Sequence, residues 1–77
     1  MPTTEDIRQS LLERNAEFRR LVEEHFRCAV QLEQIHDDPY VNADDLLQES
    51  VLKKLKLRLK DQMEMMVAQY HQGSLQH

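Results

Sequence analysis

Three groups of side chains in this chain are of types that do chemistry. His25 and Cys28 lie three residues apart, which on a helix sets an imidazole and a thiol on one face and can begin a zinc site. A structural zinc needs four ligands, and the other donors are scattered. His36, Asp37 and Asp38 follow about two to three turns later, His71 belongs to a different segment and His77 to the chain end. His25 and Cys28 also fall on an apolar stripe, where cysteine behaves as a small hydrophobe and histidine places a polar tip at a helix pair. Packing is therefore the stronger reading, and neither a metal nor a cofactor is expected. His36, Asp37 and Asp38 supply acid and base groups, but acid-base work needs a pocket that perturbs their pKa values and a second group facing the first. No Ser/His/Asp order, nucleophile elbow, glycine-rich phosphate loop or zinc-helix motif is present. The sequence reads as non-enzymatic, with no catalytic residues.

The third group is a basic run, Lys53, Lys54, Lys56, Arg58 and Lys60, inside the segment LKKLKLRLKD at residues 52–61. Three uses fit it. The lysines could cover an apolar seam with their methylene stems and pair with Glu13, Glu17, Glu23 or Glu24 of a facing helix, each exposed pair contributing about 0 to 1 kcal/mol. They could grip an acidic protein partner. They could also touch phosphates, but no aromatic residue is interleaved to stack on bases, so nucleic acid is the weaker expectation.

The elements that must position these groups follow from composition and period. The 77 residues contain one glycine, Gly73, two prolines, Pro2 and Pro39, and no tryptophan, and they are rich in strong helix formers. A chain this short forms one domain, residues 1–77, without room for a deep pocket. The net charge is -4, yet it is unevenly spread: residues 1–49 carry five arginines against twelve carboxylates, and residues 50–77 five cations against Asp61 and Glu64. Two segments of opposite sign attract when they lie side by side.

Apolar positions alternating four and three apart run through Ile7, Leu11, Phe18, Leu21, His25, Cys28, Leu32 and Ile35, interrupted by Arg14 and by His25 itself. This 3.5-residue period predicts a helix over about 4–36 that packs lengthwise on another, with Val22 and Ala29 widening the stripe. Thr3 or Thr4 is the expected N-cap. Pro39 ends the helix and leaves a connection at about 37–43, after which Asn42 and Asp45 form an imperfect capping box. A second helix is expected over about 44–72, with Leu52, Leu55, Leu59, Met63, Met66 and Tyr70 on its seam. Gly73 is its expected C-cap, and a frayed tail follows at 73–77.

Rods of similar length joined by a short connection make antiparallel neighbours. The predicted fold is all-α, an antiparallel two-helix hairpin resembling a coiled coil. Leu57 falls nearly opposite the Leu55 and Leu59 seam, on the azimuth of Leu46, and Leu12, Phe26 and Val30 also lie off the seam of the first helix. Leu46 and Leu57 are thus candidates for a second interface, and a homo-oligomeric bundle is expected.

The pattern Phe18, Leu21, His25, Cys28 and Leu32, followed after a polar loop by LKKLKLRLKD, resembles the YdcH-like family of short bacterial proteins. The resemblance covers about Asn15 to Tyr70. Leu52, Lys53, Lys54, Lys56, Leu57, Leu59, Lys60 and Asp61 match the family's Leu-Lys-Lys-x-Lys-Leu-x-Leu-Lys-Asp run, while Cys28 stands where the family usually places leucine. The resemblance implies a helical hairpin of uncharacterised function, with no activity, cofactor or catalytic residue to carry over.

The lone Cys28 fits a reducing compartment. The segment MPTTEDIRQS lacks the basic-then-apolar pattern of a signal peptide, and no apolar run approaches a membrane span, so a cytoplasmic protein is expected. Functionally the sequence favours a small protein-interaction module that self-associates through helix faces. The alternative is an accessory protein that binds nucleic acid or an anionic surface through Lys53 to Lys60.

Overall fold

The computed structural model describes residues 3–75 and is all-α, as the sequence predicts. Among the described residues it contains three helices where the sequence predicts two: α1 (Thr4–Arg14), α2 (Ala16–Asp37) and α3 (Ala43–Leu75). The difference lies at Asn15, whose extended backbone (φ -122°, ψ 110°) ends α1 and begins α2. Asparagine is a strong N-cap and a weak helix former, so it satisfies orphan amides best outside the helix. Its Oδ1 accepts the Phe18 N–H at 3.0 Å, and its own N–H donates to the Leu11 carbonyl at 2.8 Å. Arg19 completes the junction from the other side, donating from Nη1 to the carbonyls of Leu12 at 3.1 Å and Glu13 at 3.2 Å. The exposed Arg14, which interrupted the apolar period, sits at this junction.

The other ends follow the same chemistry. Thr3 Oγ1 accepts the Asp6 N–H at 3.1 Å while the Asp6 carboxylate accepts the Thr3 N–H at 3.2 Å, a reciprocal capping box at the start of α1. Asn42 and Asp45 form the same box at α3, with bonds of 2.9 and 3.2 Å. Between α2 and α3 the chain turns through Asp38, whose Oδ1 accepts the Tyr40 N–H at 2.9 Å. Gly73 is not the C-cap predicted for it: α3 continues through it to Leu75, and its φ is not positive. Of the frayed tail expected at 73–77, residues 73–75 instead continue α3, and residues 76 and 77 lie outside the described residues.

α3 runs back along α2, so that His36 lies near Lys53 and His25 near Lys60, while Arg20 and Leu21 lie near Gln62 and Met66. The molecule is a rod of 54 × 19 × 17 Å with a radius of gyration of 15.9 Å, against roughly 11 Å for a compact globule of this length. Its core is a single line of buried side chains: Ile7 and Leu11 from α1, Phe18, Leu21, Cys28 and Leu32 from α2, and Leu52, Leu59 and Met63 from α3. Phe18 and Leu21 are the most enclosed, and Arg8 stands over the Phe18 ring, 5.9 Å from its centroid. Ile35, Met66 and Tyr70 pack on the margin of this line, together with Leu12, Val22 and Val67. Near the same end, Thr4 and Ile7 of α1 lie against Glu64, Val67, Ala68 and His71 of α3. His71 Nδ1 is buried without a hydrogen-bond partner among the described residues.

One predicted seam residue is displaced. Leu55 is exposed, and Lys56 is half-buried beside Leu52 and Leu59 instead. At 100° per residue, Leu59 and Met63 lie within about 20° of Leu52, whereas Leu55 lies about 60° to one side and Lys56 about 40° to the other. The stem of Lys56 can cover the seam and still carry its ammonium to water.

These positions predict a contrast between two neighbouring leucines. Leu59→Ala removes a buried side chain and is expected to cost about 2 to 5 kcal/mol, whereas Leu57→Ala changes an exposed one and should stay within about 0.5 kcal/mol. Urea unfolding followed by circular dichroism measures both, and equal losses would contradict the seam described here.

Candidate functional site

Two surface features of α3 remain after the core is accounted for. The first is a groove of about 530 Å³ along one flank of the α2 and α3 pair, lined by His25, Ala29, Leu32, Glu33, His36, Lys53, Lys56, Leu57 and Lys60. Positions 53, 56, 57 and 60 fall on one side of α3 because they are spaced three, one and three apart, which keeps them within about 100°. The basic run therefore divides. Lys53, Lys56 and Lys60 line this groove, while Lys54 and Arg58 lie on the opposite side beside Val51 and Leu55.

The lysines do not pair with the acids expected to answer them. Among the described residues the ion pairs all lie within one helix: Arg20 with Glu17 at 2.7 Å and Glu24 at 2.9 Å, and Lys53 with Glu49 at 2.8 Å. Hydrogen bonding to Glu17 is the main cause that raises the Arg20 pKa, and hydrogen bonding to Lys53 is the main cause that lowers that of Glu49. The reason is register. Running α3 back along α2 sets Lys53, Lys56 and Lys60 against the stretch His25 to His36, whereas Glu13 and Glu17 lie toward the other end, Glu24 is held by Arg20, and Glu23 lies about 160° around α2 from His25. Lys56 and Lys60 have no carboxylate within 4.0 Å among the described residues.

Of the two histidines that line this groove, His25 lies nearer the core. His25 is half-buried, and desolvation holds its imidazole below the ordinary histidine value, helped by Lys56, Lys60 and Arg8. Cys28, its expected partner on the same face, is buried in the core and carries a free thiol. No three His, Cys, Asp or Glu side chains converge among the described residues. His36, Asp37 and Asp38 are exposed at the end of α2, and only His36 reaches the groove.

The second feature is apolar. Leu46 and Leu57 are exposed as expected, at 60% and 59%, but the polar Ser50 and Lys53 separate them along their face. A more continuous stripe went unread in the sequence: Leu47 at 68%, Val51 at 63% and Leu55 at 41%, spaced four apart on one side of α3. Residues 43–51 contribute no buried apolar side chain to the core. The signal was present as a second i, i+4, i+8 apolar series, and the seam assignment of Leu55 concealed it.

Comparison with known proteins decides the family. Residues 18–67 match the family described as Protein of unknown function (DUF465). The chain belongs to this family. It is the YdcH-like family of small uncharacterised bacterial proteins, so the resemblance carried by LKKLKLRLKD holds. No curated protein and no solved structure matches the chain. Within the DUF465 match fall all of the groove residues and the whole Leu47, Val51 and Leu55 stripe, whereas α1 lies outside it. No helix among the described residues is long and apolar enough to cross a membrane.

A pH dependence follows from His25. Because its folded-state pKa is lowered, the unfolded chain binds the proton more readily, so stability is full above the ordinary value near 6.5 and declines as the pH falls through it. The urea midpoint should drop between about pH 7.5 and 5.5, and His25→Gln should flatten that drop. An unchanged slope in the variant would contradict the assignment.

Proposed function

We propose that this protein is a non-enzymatic interaction module: a hairpin of α2 and α3, buttressed by α1, that self-associates through the outer face of α3. The observation that carries this reading is the stripe of Leu47, Val51 and Leu55, exposed on a helix whose first turns bury no apolar side chain within the chain itself. Isolated helical turns are marginal in water, and most of their stability comes from packing an apolar face. A second copy covering that face supplies the packing. The grooves beside the helices are open and shallow, which suits a surface that docks rather than one that encloses a reacting substrate.

A specific observation also favours a second reading, that the Lys53, Lys56 and Lys60 groove takes an anionic partner. Lys56 and Lys60 have no carboxylate within 4.0 Å among the described residues, and the groove places them together with His25, His36 and a single acid, Glu33, over the apolar Ala29 and Leu32. An acidic protein segment, a nucleic acid or an anionic membrane surface each presents the required charge.

Sedimentation equilibrium tests the first reading. The apparent mass should rise above the 9.2 kDa of one chain as concentration increases, and a constant 9.2 kDa into the millimolar range would refute self-association. For the second reading, an oligonucleotide and vesicles containing anionic lipid are titrated at low and high salt. Binding that weakens steeply with salt and disappears in Lys53→Glu/Lys56→Glu/Lys60→Glu supports it, while no binding of either probe at low salt removes those two partners.

A further inference from the structure

The stripe on α3 has a polarity that selects its partner. Measured from Val51, Leu47 and Leu55 lie four residues to either side, each about 40° around the helix, and Asp44 and Arg58 lie seven to either side, each within about 20° of the azimuth of Val51. Gln48 and Lys54, three to either side, form the flanks at about 60°. All seven side chains are exposed, and neither Asp44 nor Arg58 has an ion-pair partner among the described residues. The series thus reads acid, leucine, valine, leucine, base, and it is self-complementary when reversed.

The geometry points to a two-fold symmetric dimer in which α3 of a second copy packs antiparallel on α3 across Val51. This rests on the self-association proposed above and specifies its surface and direction. With the axis at Val51, the Val51 side chains of the two copies meet, Leu47 of each meets Leu55 of the other, and Asp44 of each faces Arg58 of the other. An isologous contact of this kind closes on itself and uses one patch twice. Parallel pairing in register would instead set Asp44 beside Asp44 and Arg58 beside Arg58, with like charges at both ends of the stripe. The charge pattern therefore favours the second copy over an unrelated apolar helix and antiparallel over parallel docking. The Lys53, Lys56 and Lys60 groove lies on another side of α3 and remains open in this dimer.

Charge reversal tests the arrangement on the full chain. In Arg58→Asp the introduced carboxylate faces Asp44 of the other copy at both ends of the stripe. In Asp44→Arg the introduced guanidinium faces Arg58 of the other copy in the same way. Each variant alone should dimerise at least about tenfold more weakly than the unmodified chain. An equimolar mixture should restore dimerisation, because each copy then meets its opposite charge twice. Sedimentation equilibrium reads the masses, and circular dichroism confirms that Arg58→Asp, an exposed substitution in the middle of α3, stays helical. A dimer of the unmodified chain that Arg58→Asp leaves at full strength, or variants that mixing fails to rescue, would overturn this interface while self-association stands. An unmodified chain that stays monomeric would overturn both.

Discussion

A helix turns little more than a third of its circumference toward a single neighbour, and α3 carries apolar side chains around far more of its circumference than that. Leu52, Leu59 and Met63 face the core, Leu55 and Val51 stand to one side, and Leu57 and Leu46 to the other. Only one of these faces can be covered by α2. The break at Asn15 then commits α1 as well, since Thr4 and Ile7 lie against Glu64 to His71 near the end of α3 that is distant from the loop. The cover within the chain thus begins at Leu52 and runs from there to the end of α3 distant from the loop. Its first turns are left as a helix with a capping box at the start and no buried apolar side chain before Leu52.

The same packing direction arranges the charges. Because α3 runs back along α2, its lysines meet the part of α2 that holds His25, Glu33 and His36 rather than its acid-rich beginning, where Arg20 already binds Glu17 and Glu24. The opposite signs of the two halves of the sequence are therefore not cancelled by pairs across the interface. They persist as a basic flank on α3. Exposed pairs within single helices contribute little to stability, so the fold depends on its narrow line of buried side chains.

Much of this was legible in the sequence, and the misses have physical causes. The seam of α2 stood out because a 3.5-residue period was sustained through Phe18, Leu21, Cys28 and Leu32, all of which are buried. The two capping boxes were legible in part because threonine or asparagine followed three residues later by aspartate satisfies amides locally, whatever the tertiary packing. The break at Asn15 was hidden by continuity, since Leu11 and Phe18 keep a seven-residue spacing across it and only Arg14 marks the fault. Leu55 was misplaced because a pattern of apolar residues prefers leucine to lysine at the seam, whereas the geometry of Leu52, Leu59 and Met63 puts the stem of Lys56 there. That displacement also concealed the stripe that Leu55 completes with Leu47 and Val51. The family match gives the chain its relatives but no activity, so the case for function rests on these surfaces.

If the start of α3 is held by something other than its own chain, its stability must depend on how often a second copy is present. Hydrogen–deuterium exchange measured over a range of protein concentrations addresses this most directly, because exposed helical turns without apolar cover open readily. Amide protection across residues 46–56 should rise with concentration while protection around Leu59 to Met66, packed on α2, stays constant. Protection across 46–56 that is already as high as that around Leu59 at the lowest concentration, and does not change, would contradict it.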